Sequence, residues 1–88
     1  MIELPDTKEI MSILLLYGES IKMTLVNYSH SIYARKITAL YYVTDGLRET
    51  YKTICIYSTD NNILVQIDED ILSYTNFKKR YQALWVTM

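Results

Sequence analysis

The spacing of apolar residues changes at Asp45-Gly46, and that change constrains the fold more than any other feature of this chain. Beyond it, "KTICIYS" places Ile54 and Ile56 on one side and Thr53, Cys55 and Tyr57 on the other, the period of two that a strand requires. "TDNN" follows with residues that tolerate turns, and "ILVQID" then alternates Ile63, Val65 and Ile67 with Leu64 and Gln66. Two alternating runs around a short polar turn predict a hairpin over 52–67.

Ahead of that point the apolar residues recur at helical intervals. "LPDTKE" reads as a helix start, with Asp6 as N-cap and Glu9 three residues later. Ile10, Ile13, Leu14 and Tyr17 then share one face, and Gly18 is a natural stop, which predicts a helix over 7–17. Ile21, Leu25 and Tyr28 predict a two-turn helix over 20–27; the alternative, from the β-branched residues of "IKMTLV", is a strand in a mixed α+β module. "NYSHS" breaks the pattern with turn and cap residues. A third helix is predicted over 31–45, with Tyr33, Ile37, Leu40, Tyr41 and Thr44 on its inner side. After the hairpin, Asp68 is a candidate cap for a last helix over 69–86, whose stripe is Tyr74, Phe77, Tyr81, Leu84, Trp85 and Met88. One core is expected to hold Ile10, Leu14, Leu25, Ile37, Leu40, Leu47, Ile54, Ile56 and Val65.

Composition limits the function classes. Eighty-eight residues make room for a single domain, 1–88, and half of them are apolar, well above a disordered chain. No apolar run reaches the ~18 residues of a membrane span, and "MIELPDTKE" lacks the positive start of a secretory signal. One cysteine excludes an intramolecular disulfide and most zinc sites, which fits a reducing cytoplasm. The net charge of −1 exerts no bulk pull on nucleic acid, but residues 19–52 carry five cations against three anions.

Enzyme constellations are nearly absent. His30 is the single histidine and reads as a turn or cap residue; Cys55 lies between two isoleucines with nothing cationic beside it in sequence. Asp68-Glu69-Asp70 has no second cluster of oxygen ligands and suits a helix start better than a metal. Gly18 and Gly46 are isolated, so no phosphate loop exists. The expectation is a protein that is not an enzyme and needs no cofactor or metal. "NFKKRYQ" is the one basic cluster and reads as the solvated side of the last helix.

The order of three helices, a hairpin and a helix resembles the winged helix-turn-helix of the ArsR/MarR kind, and "LLLYGESIKMTLVNYSHSIYARKITALYYVTDGL" is similar to its core. The fold class expected is therefore mainly α with a small β-hairpin. The resemblance implies a transcriptional regulator that reads double-stranded DNA in the major groove with helix 31–45. Ser31, Arg35, Thr38 and Tyr42 would face the DNA, with Lys36 at their flank, and Arg35 would reach a guanine edge. The last helix would join a homodimer through Tyr74, Phe77, Tyr81, Leu84 and Trp85. The alternative expectation is an adaptor or inhibitor that binds another protein through a tyrosine-rich surface. It rests on nine tyrosines, near-neutral charge and a hairpin tip without Arg or Lys. The tyrosine-rich, glycine-poor composition is similar to that of small open reading frames of archaeal viruses and phages.

Overall fold

The computed structural model describes residues 3–86, with side chains for 3–81. A first helix, α1 (Thr7–Ser20), is followed by five strands and a closing helix. The strands are β1 (Thr24–Ser31), β2 (Lys36–Asp45), β3 (Arg48–Ser58), β4 (Ile63–Ile67) and β5 (Asp70–Ser73), and the closing helix is α2 (Tyr74–Val86). Each strand pairs antiparallel with the next, so the sheet order is the chain order, a simple meander.

The turns explain why the chain reverses where it does. Asp45 pairs with Arg48, leaving Gly46 and Leu47 as a two-residue loop. Gly46 has φ of +80°, a left-handed conformation that a side chain would disfavour, at the first position of the loop. Between β3 and β4 the predicted "TDNN" turn forms, tied by Thr59 N–H to Asn62 O at 2.7 Å and by Asn62 N–H to Thr59 Oγ1 at 3.0 Å. Asp68, at φ of +56°, turns β4 into β5.

Both helices lie on one face of the sheet, where a single core forms. Ile10, Ile13, Leu14 and Tyr17 from α1 meet Ile37, Ala39 and Tyr41 from β2, Ile54 and Ile56 from β3, and Val65 from β4. Tyr74 and Phe77 of α2 complete it. Tyr17 makes edge-on or tilted ring contacts with Tyr41, Phe77 and Tyr81 at centroid distances of 5.5, 5.6 and 5.2 Å.

This architecture overturns the winged-helix resemblance and the mainly α fold class. Residues 31–45, expected as a recognition helix, are the end of β1, a turn and β2. Ile37, Leu40, Tyr41 and Thr44 satisfy a helical period only because β2 carries apolar residues on both faces. Its core residues, Ile37, Ala39 and Tyr41, obey the period of two. The segment 20–27 is the end of α1, a turn at Lys22 and, from Thr24, the start of β1, an edge strand, so the two-turn helix is absent and the strand alternative holds only for the second half of "IKMTLV". "NYSHS" lies within β1. The last helix begins at Tyr74, not at residue 69, because 70–73 extends the sheet as β5. Gly18 does not end α1, which runs to Ser20. Asp6 stands at the helix start without a capping side-chain bond. Leu40 points away from the core and Leu47 is fully exposed at a loop tip, while Leu25 is half-buried against the core. The hairpin over 52–67 is present as the paired β3 and β4.

Candidate binding face of the sheet

With both helices on one side, the opposite side of the sheet is left without a covering layer among the described residues. Strand registers fix which residues stand on it. Thr24, Tyr42 and Tyr51 form one row across the strands, and Asn27, Leu40 and Thr53 the next. Ser29, Thr38, Cys55, Gln66 and Ile71 form a third row, and Ser31, Lys36, Tyr57, Leu64 and Ser73 a fourth. Thr44 and Glu49 pair beyond the first row, towards the β2–β3 loop.

The chemistry of this face is unusual for one turned to water, since open antiparallel faces are ordinarily polar. Leu40, Tyr42, Tyr57 and Leu64 are half-buried by their neighbours, and Tyr51 and Ile71 are 57% and 58% exposed. The Tyr42 and Tyr51 rings contact each other at 5.1 Å. Between the apolar residues lie small hydroxyls and Cys55, whose Sγ is 3.9 Å from Thr38 Oγ1. Within these rows the only charged side chains are Lys36 and Glu49, both exposed and at opposite ends of the strands.

Four of the five residues expected to read DNA come together here, but on a strand pair. Lys36, Thr38 and Tyr42 alternate along β2, and Ser31 pairs with Lys36. Arg35 is separated from them in the β1–β2 turn, at φ of +50°. It borders an open groove of about 460 Å³ with Glu3, Leu4, Pro5, His30 and Ile32. No described helix presents the set to a groove of DNA. The residues expected at a dimer interface are mostly spent inside the protein. Tyr74 and Phe77 are buried, and Tyr81 packs edge-on against Tyr17 and tilted against Phe77. The side chains of Leu84 and Trp85 lie outside the described residues.

Of the other members of the face, Leu40 is expected in the core from the sequence, Tyr57 and Leu64 are placed only as alternating positions of the hairpin, and Tyr51 and Ile71 are not assigned at all. Alternation carried the signal: in "KITALYY" and "TYKTICIY" the positions between core residues are themselves apolar or aromatic as often as polar.

Other polar groups are used within the fold. Lys52 Nζ bridges to Asp68 Oδ2 at 3.0 Å and also bonds the Tyr17 phenol, and the bond to Asp68 holds the ammonium above its ordinary pKa. Burial pushes the Tyr17 phenol up despite the bond from Lys52. These groups line an open groove of about 420 Å³ with Asp70, Arg80 and Tyr81, in which the two acids offset the two bases. Asp68-Glu69 is thus a turn that carries an ion pair and leads into β5 at Asp70, and no group of three potential metal ligands occurs among the described residues. Cys55 is a free thiol on the open face. Among the described residues no helix is long and apolar enough to cross a membrane.

No protein-family model, curated protein or solved structure matches the chain.

Proposed function

We propose that this chain is a protein-binding module, an adaptor or inhibitor without catalytic activity, and that the open face of its sheet is the binding surface. One observation carries the reading. An uncovered sheet face presents Leu40, Tyr42, Tyr51, Tyr57, Leu64 and Ile71 with a single cation and a single anion among its rows. Large apolar and aromatic side chains gathered on an uncovered face mark an interface, and tyrosine anchors interfaces because it buries a large ring at a small cost in side-chain entropy. A nucleic-acid surface needs several cations to displace counterions from phosphates, and Lys36 is alone on the face. The free Cys55 suits work in a reducing compartment such as the cytoplasm.

The test is capture with the wild-type chain and with a Leu40→Asp, Tyr51→Asp double variant, after circular dichroism has shown both to be folded. Quantitative proteomics should find a protein, the chain itself included, retained by the wild type and lost with the variant. Identical captured sets, or retention of duplex or single-stranded nucleic acid only, would discard the proposal.

A further inference from the structure

We infer that the occupant of this face is a second copy of the chain, stacked face to face about a two-fold axis. The axis lies between the sheets and crosses the strands at the level of Leu40 and Thr53. The inference rests on the open face being a binding surface and adds the identity of its partner.

Two sheets that pack face to face lie about 10 Å apart with their strands roughly aligned. An axis in that plane, perpendicular to the strands, lays β2 over β2 and β3 over β3 with their directions reversed. A residue one row above the axis then faces the residue one row below it. Tyr42 meets Thr38 of the second copy, and Tyr51 meets Cys55 of the second copy, because each pair is equidistant from the Leu40–Thr53 row. Each large ring is set over a small side chain, which is how two inner faces interdigitate. Leu40 meets its own counterpart at the centre.

The charges obey the same symmetry. Lys36 pairs with Tyr57, eight residues along β3 from Glu49, so within one chain the two charges are about 27 Å apart and cannot interact. Across the two-fold axis, Glu49 lies over Tyr57 of the second copy, one strand spacing of about 4.8 Å from that copy's Lys36. Each charge on the face thus meets its opposite, twice per dimer. Any stacking that kept the strands parallel would set like on like.

Sedimentation of the intact chain across a concentration series is the test. The wild type should reach twice the chain mass. Lys36→Glu and Glu49→Lys should each weaken the dimer at least about ten-fold, since each sets like charges together. The double exchange, Lys36→Glu with Glu49→Lys, should restore it to within about three-fold. Both residues are exposed, so the variants leave the core intact. Only pairing between copies predicts the rescue. A wild-type monomer at high micromolar concentration overturns the inference, and so does a dimer indifferent to these charges or one that the exchange fails to restore. Monomeric wild type that still captures another protein through Leu40 and Tyr51 would leave the binding-surface proposal standing and remove only the second copy.

Discussion

Gly18 and Tyr41 show how closely single residues are fitted in this core. Gly18 lies buried near the end of α1, and a Cβ built on it would come 2.9 Å from the Met23 carbonyl oxygen and 3.0 Å from Tyr41 Cε1. The ring has little freedom to move aside, because Tyr41 is fully buried and its hydroxyl donates to the Leu14 carbonyl at 2.7 Å. Burial raises the pKa of that phenol well above its ordinary value, keeping it protonated as a donor. Gly18→Ala gains about 1 kcal/mol of helix propensity. The clash with backbone outweighs it, and a net loss of about 1–3 kcal/mol is expected from chemical denaturation. A variant more stable than wild type would show that the close approach is relaxed in solution. Tyr28 presents the opposite situation. Its hydroxyl is buried and has no hydrogen-bond partner among the described residues. A buried donor without a partner carries a desolvation penalty, so Tyr28→Phe should leave stability unchanged or raise it by up to about 2 kcal/mol. A loss beyond about 1 kcal/mol in urea unfolding would mean that the hydroxyl has a partner.

At the scale of elements, the two helices are far apart in sequence and are clasped by one carboxylate. Glu9 of α1 accepts from the Tyr74 hydroxyl at 2.8 Å and from Lys78 Nζ at 2.6 Å, both on α2. The bond from Lys78, then that from Tyr74, lowers the Glu9 pKa from an ordinary 4.5. A carboxylate with a depressed folded pKa contributes stability that is present above the unfolded value and lost as pH falls through the folded one. The clasp is one-third exposed on each side, which limits it to roughly 0.5–1 kcal/mol. Glu9→Gln should therefore cost about that much at neutral pH and almost nothing near pH 3, a convergence that urea unfolding across pH would register. Parallel pH curves for the two proteins would exclude it. The same elements differ in how legible they were. α1 was readable because Ile10, Ile13, Leu14 and Tyr17 are its buried face and nothing competes with their helical spacing. β3 was readable because only its inner positions carry isoleucine. β2 was not, since Leu40 and Tyr42 on the open face blur the alternation of Ile37, Ala39 and Tyr41 into a helical period. The β-branched and aromatic content of "ITALYYVT" was the remaining clue to a strand. The open face was partly in view: Ser31, Lys36, Thr38 and Tyr42 were grouped together on the wrong geometry, while Tyr57 and Leu64 needed the strand registers to join them.

For the whole molecule, the sheet has one covered face and hence one core, and that core is closed by the last element of the chain. Phe77 of α2 is fully buried and makes tilted ring contacts with Tyr17 and Tyr81 at 5.6 and 4.9 Å, while Tyr17 in turn reaches Tyr41 in the middle of the sheet. Removing the Phe77 ring takes apolar contact from α1, α2 and the sheet together. No second core exists among the described residues on which α1 and the strands could stay folded alone. Phe77→Ala is expected to cost about 3–5 kcal/mol. For a chain of this size the entire folding free energy is on the order of 4–13 kcal/mol, so the variant should be close to its limit. Its loss should also be global. Far-ultraviolet dichroism, which follows the helices and sheet, and near-ultraviolet dichroism, which follows tyrosine packing, should fall in one coincident transition at a lower temperature than wild type. If instead the helical signal fell first while the sheet persisted, α2 would be a separable lid, and the sheet would draw stability from somewhere other than the shared core, for which the described residues offer its open apolar face.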